Sequence, residues 1–114
     1  MKRWVYDPQS GGKKISLEHQ EEICEQAEAF SKMRPWYSRT RLNLRFKNQF
    51  CYIDTLDLTD KKTLPLCRLR NLSRGWSLAL FTYSNERYQP CIFPDGNWEG
   101  SLEAAIELCE PFIF

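Results

Sequence analysis

Seven side chains in this sequence have the types and spacing to grip an anion: Arg39, Arg41, Arg45, Phe50, Tyr52, Arg68 and Arg70. A guanidinium presents a planar fork of N–H donors that matches a phosphate. An aromatic ring standing on a sheet gives an unpaired base something to stack on. Arg39, Arg41 and Arg45 lie at even separations, as do Phe50 and Tyr52, and Arg68 and Arg70. On an extended chain each set therefore projects to one side. The chemistry this implies is binding, to single-stranded nucleic acid or another polyanion. Tyr, Trp and Arg are also the residues that dominate protein interfaces, so protein–protein interaction or homodimerisation is the competing expectation. A plainer account needs no ligand: a half-exposed antiparallel sheet also alternates Arg with aromatics, with Arg41 and Asp54 as a cross-strand ion pair.

Catalysis finds little to work with. His19 is the only histidine, and it reads as a solvent-facing helix residue. Nucleophile–base pairs need such a group beside a Ser or Cys. Asp54, Asp57 and Asp60 read as a strand end and a polar turn. No catalytic residue, metal ligand or cofactor is expected, and the chain is expected not to be an enzyme. Gly11-Gly12-Lys13-Lys14 lacks the spacing of a phosphate loop and reads as a flexible connector. Cys24, Cys51, Cys67, Cys91 and Cys109 are too widely spaced for a metal site and odd in number, so they are expected as buried free thiols.

Composition sets the frame. A chain of 114 residues, 42% apolar and 27% charged, has the makings of one globular domain spanning 1–114. No apolar run approaches the ~20 residues of a bilayer span, and the N-terminus has no leader-like hydrophobic stretch. A cytoplasmic protein with no membrane partner is expected. The net charge is +1, yet the charges segregate. Six Lys or Arg and no acid lie between Lys32 and Lys47, and five more between Lys61 and Arg74. Glu18, Glu21, Glu22, Glu25 and Glu28 sit in a stretch without Lys or Arg, as do Asp95, Glu99, Glu103, Glu107 and Glu110. The expected strands are basic and the expected helices acidic.

The elements that must position these groups follow from periodicity. Arg3 to Tyr6 reads as a short strand. Ser16 caps a helix whose Leu17, Ile23, Cys24, Ala27 and Phe30 face inward, ending at Arg34-Pro35. Arg39 to Phe46 and Phe50 to Thr55 alternate as two strands of a hairpin. With Lys47-Asn48 as its turn, Leu44 lies opposite Cys51 and Leu42 opposite Ile53. On the other face Arg45 meets Phe50, Asn43 meets Tyr52 and Arg41 meets Asp54, a register that buries neither Asp nor Arg. Leu66 to Arg70 gives a third strand, and Trp76 to Tyr83 a fourth that is apolar on both faces. Tyr88 to Phe93 is an edge strand or bulge because of Pro90. Ser101 caps a short C-terminal helix carrying Leu102, Ala105, Ile106 and Cys109 on one side. The fold expected is α+β: an antiparallel meander sheet of about five strands with the long N-terminal helix packed on one face.

Several blocks, RWVYDPQSGGKKI, RFKNQFCYID, LCRLR and WSLALFTYSNERYQPCIFPDGNWEG, resemble a family of short, single-domain, functionally uncharacterised prokaryotic proteins. The resemblance covers nearly the whole chain. It implies a stand-alone cytosolic domain and carries over no catalytic residues.

Overall fold

The computed structural model describes residues 11–113. The strand expected at Arg3 to Tyr6 lies outside them. Helix α1 (Leu17–Ser31) starts where Ser16 accepts a hydrogen bond from the His19 amide. A 3₁₀ turn, Pro35–Ser38, leads into β1 (Thr40–Lys47), β2 (Phe50–Asp57), β3 (Thr63–Leu72), β4 (Gly75–Thr82) and β5 (Arg87–Cys91). A two-residue strand β6 (Glu99–Gly100) and helix α2 (Leu102–Cys109) follow. The antiparallel sheet runs in the order β1-β2-β3-β4-β5, with β6 pairing the start of β4. This is the α+β meander that the periodicity predicts, with β6 added.

Both helices cover one face. Ile23 and Ala27 of α1, with Leu102, Ala105, Ile106 and Cys109 of α2, close over Cys51, Ile53, Cys67, Leu69 and Leu78 of the sheet. All eleven are buried, so the apolar stripe of each helix and one parity of three strands form a single core. Along β4 Trp76, Ser77, Leu78 and Ala79 are all buried, which makes its first half covered on both sides as its composition predicts. A carboxylate clamp ties the turn after α1 to the end of α2. Glu110, just past α2, accepts from Arg34 Nε and Nη2 at 2.6 Å each and from Trp36 Nε1 at 2.8 Å.

Four local expectations are corrected. The hairpin turn is Asn48-Gln49, so Leu44 pairs with Ile53, Arg45 with Tyr52 and Asn43 with Asp54. Asn48 absorbs the reversal at φ +55, a conformation asparagine tolerates better than lysine. The slip is by two residues, which preserves which side chains share a face. It does not keep charge out of the interior, because Asp54 and Arg70 are both buried. On α1, Leu17 and Cys24 are exposed, since the inward stripe passes through Ile23, Ala27 and Ser31. His19 packs its ring 5.8 Å from that of Trp76 rather than facing solvent alone. Finally, the Gly11–Lys14 connector is docked. The Lys13 amide donates to Asn71 O, Asn71 Nδ2 donates to Lys13 O, and a Cβ on Gly12 would come within 2.8 Å of the Arg70 side chain. Gly12 also takes φ +106, so the position needs glycine twice over.

Candidate ligand-binding face of the sheet

The face opposite the helices collects the side chains that the alternation assigns to it. Register carries Phe50 opposite Arg70, Tyr52 opposite Arg68, Arg68 opposite Ala79, and Phe81 opposite Tyr88. Five rings form a continuous belt across it. Phe50 and Tyr52 lie 6.1 Å apart, Tyr52 and Tyr88 5.6 Å, Tyr88 and Phe81 5.1 Å, and Phe81 and Tyr83 4.9 Å. The last three contacts are edge-to-face, the geometry that ring quadrupoles favour.

Guanidinium groups are laid onto this belt. Arg68 Cζ stands 4.6 Å from the centre of Phe50 and 5.3 Å from that of Tyr88. Arg45 Cζ is 5.1 Å from Tyr52, and Arg70 Cζ 5.6 Å from Phe50. Contacts of this kind hold a cation in place while leaving its N–H groups to find anions. Arg45 already has one: its Nε lies 2.7 Å and its Nη2 3.2 Å from the two carboxylate oxygens of Asp54. Arg68, half-buried at the centre of the sheet, makes no ion pair among the described residues. Tyr88 stays a neutral phenol well into the alkaline range, because burial and then the Asp54 charge push its ionisation up. Past Phe81 and Tyr83 a mainly apolar cavity of about 280 Å³ opens between the ends of β3 and β4, lined also by Thr55, Leu64, Leu80 and Phe112 from the helix side. The Tyr83 hydroxyl donates to Pro65 O across its rim.

Of the seven side chains singled out in the sequence, five meet here: Arg45, Phe50, Tyr52, Arg68 and Arg70. The other two do not. Arg39 caps the 3₁₀ turn outside β1 and is exposed. Arg41 has the right parity, but its guanidinium stacks 3.5 Å from the centre of the Tyr37 ring and donates to Tyr37 O. The cross-strand partner expected for it, Asp54, is taken by Arg45. Sequence reasoning missed Tyr88, Phe81 and Tyr83. Their signal was present in the alternation of Phe81 and Tyr83 with Leu80 and Thr82, which places them on the side of Ala79 and hence of Arg68.

The opposite side of the molecule is acidic. Glu18, Glu21, Glu22, Glu25 and Glu28 are all exposed on α1. Charge is thus segregated across the thickness of the fold. Among the described residues no group of three or more His, Cys, Asp or Glu is arranged to hold a metal ion. No helix of the described residues is long and apolar enough to cross a membrane. No family model, curated protein or solved structure matches the chain.

Proposed function

We propose that this is a small binding domain whose arginine and aromatic sheet face takes single-stranded nucleic acid. The observation that carries the reading is Arg68, clamped between Phe50 and Tyr88 with no carboxylate partner among the described residues. A cation fixed at the middle of an aromatic belt is suited to a phosphate, and the rings beside it to the bases that phosphate connects. Arg45 adds a second positive group, tempered by Asp54. The acidic helices on the far side orient a polyanion toward the sheet rather than around it. No step of this reading uses a catalytic group.

The direct experiment is a titration of fluorescently labelled single-stranded RNA and DNA oligonucleotides with the protein at several salt concentrations. The reading expects binding that weakens steeply with salt, because each phosphate contact releases counterions. Binding indifferent to salt, or none at low ionic strength, refutes it.

A further inference from the structure

A second interaction surface lies at the β1 edge of the sheet, away from the aromatic belt. The two edges of the sheet differ. β5 is five residues long and carries Pro90, which blunts pairing there. β1 is eight residues long, without proline, and pairs only with β2 among the described residues. The hairpin turn and the Leu58 amide donating to Arg39 O fix which backbone groups are used. Arg41, Asn43, Arg45 and Lys47 bond toward β2, so Leu42, Leu44 and Phe46 turn their N–H and C=O groups outward. These three have no protein partner for those groups among the described residues.

The side chains along this edge are sorted as well. Leu42, Leu44 and Phe46 are half-buried and reach toward α1, where Cys24 and Leu17 continue the apolar surface over buried Ala27, and Glu21, Glu25 and Glu28 line the outer wall. The groove so formed offers two adjoining hollows of about 340 and 540 Å³. The other parity is basic: Arg41, stacked on Tyr37, Arg45, paired on one side with Asp54, and Lys47, with Asn43 between. Two copies of this strand pairing antiparallel would bring those cations against one another, which is unfavourable. The charges that discourage self-pairing select an extended strand of opposite sign.

We propose that β1 receives an extended acidic peptide segment as an added strand, its apolar side chains seated in the α1–β1 groove and its alternate carboxylates beside Arg41, Arg45 and Lys47. Backbone hydrogen bonds to Leu42, Leu44 and Phe46 supply the docking, and the alternation supplies the selectivity. This surface serves a protein partner; its backbone groups lie at the sheet edge, while Arg45 is shared with the nucleic-acid face.

The test uses the full chain and three synthetic eight-residue peptides in which valine alternates with glutamate, glutamine or lysine. Anisotropy should rank them glutamate, then glutamine, then lysine, with at least a tenfold spread. Hydrogen exchange should slow at the Leu42, Leu44 and Phe46 amides when the glutamate peptide is added. N-methylation of alternate peptide residues should abolish binding on one parity and leave it nearly unchanged on the other, with the protein itself unaltered. Leu44→Pro, which deletes one outward donor, should weaken binding tenfold or more. Equal binding of the three peptides, no binding of any, or an effect of N-methylation independent of parity overturns the proposal. Protection of the three amides without peptide, in a sample of doubled mass, overturns it in favour of a second copy.

Discussion

Arg45 reaches diagonally past its own cross-strand partner, Tyr52, to grip Asp54, whose partner in the register is Asn43. The Asp54 side chain is nearly buried, at 8% exposure, while the Arg45 side chain is 54% exposed. The pair therefore hides a negative charge in the middle of the basic face and leaves its positive half outside. Asp54→Asn should cost about 1–2 kcal/mol of stability, since a buried acceptor of two charged hydrogen bonds is weakened. It should also tighten oligonucleotide binding a few-fold at low salt, because one negative charge leaves the face. Denaturant melts and anisotropy on the same variant check both; loss of stability with unchanged or weaker binding contradicts the placement of Asp54 in the site.

Glu110 carries a pH dependence. Hydrogen bonds from Arg34, and after them from Trp36, outweigh burial and hold its carboxyl below the usual carboxylate range. A group whose folded pKa is depressed contributes stability above its unfolded value, near about 4.3, and loses it as pH falls through the folded value. Glu110→Gln should melt at lower temperature than the parent at pH 7, by an amount equivalent to about 1–2 kcal/mol. The gap should narrow as pH falls below about 4. A gap constant from pH 7 to pH 3 shows that the charge is not what holds the clamp.

The thiols should separate by position. Cys24 is exposed, whereas Cys51, Cys67 and Cys109 are buried. Burial pushes Cys51 up to about 12, and a hydrogen bond that the Cys67 thiol shares with Cys109, together with burial, raises Cys67 well above its ordinary value. At pH 8 iodoacetamide should modify Cys24 first, with Cys51, Cys67 and Cys109 reacting only in denaturant. Peptide mapping of the alkylated protein reads this out, and Cys51 or Cys67 labelled as fast as Cys24 contradicts the burial.

Leu69 and Leu17 make a contrast within one residue type. Leu69 is fully enclosed at the centre of β3, and Leu17 stands 79% exposed at the start of α1. Leu69→Ala should cost about 2–5 kcal/mol through lost burial and the cavity left behind. Leu17→Ala should fall within about 0.5 kcal/mol of the parent. Similar losses in urea melts of the two variants contradict the core assignment.

The legible and illegible parts of the fold differ for physical reasons. Period-two alternation put Arg45, Phe50, Tyr52, Arg68 and Arg70 on one face, and that survives a register slip of two because parity is all it depends on. The slip itself turned on whether Lys47 or Asn48 opens the turn, a choice made by Asn48 at positive φ that periodicity does not record. The stripe of α1 was misjudged at Leu17 and Cys24 because several apolar residues competed for one narrow seam. Burial of Asp54 and Arg70 depends on what crosses the face, which no local pattern encodes: Arg45 over the first, and Gly12 against the second. Arg41 was lost to Tyr37, four residues earlier, through a contact that the strand pattern does not reveal.

Arg68 is the cation at the centre of the sheet face. The most direct test of its role compares Arg68→Ser with Arg74→Ser, an exposed arginine in the β3–β4 turn, in titrations of one labelled single-stranded RNA. The structure predicts that Arg68→Ser weakens binding about tenfold or more, and lowers the salt slope by about one contact, while Arg74→Ser changes either by less than about threefold. Equal effects of the two substitutions, with both variants folded by circular dichroism, would show that any binding is diffuse charge and that the aromatic belt is not its site.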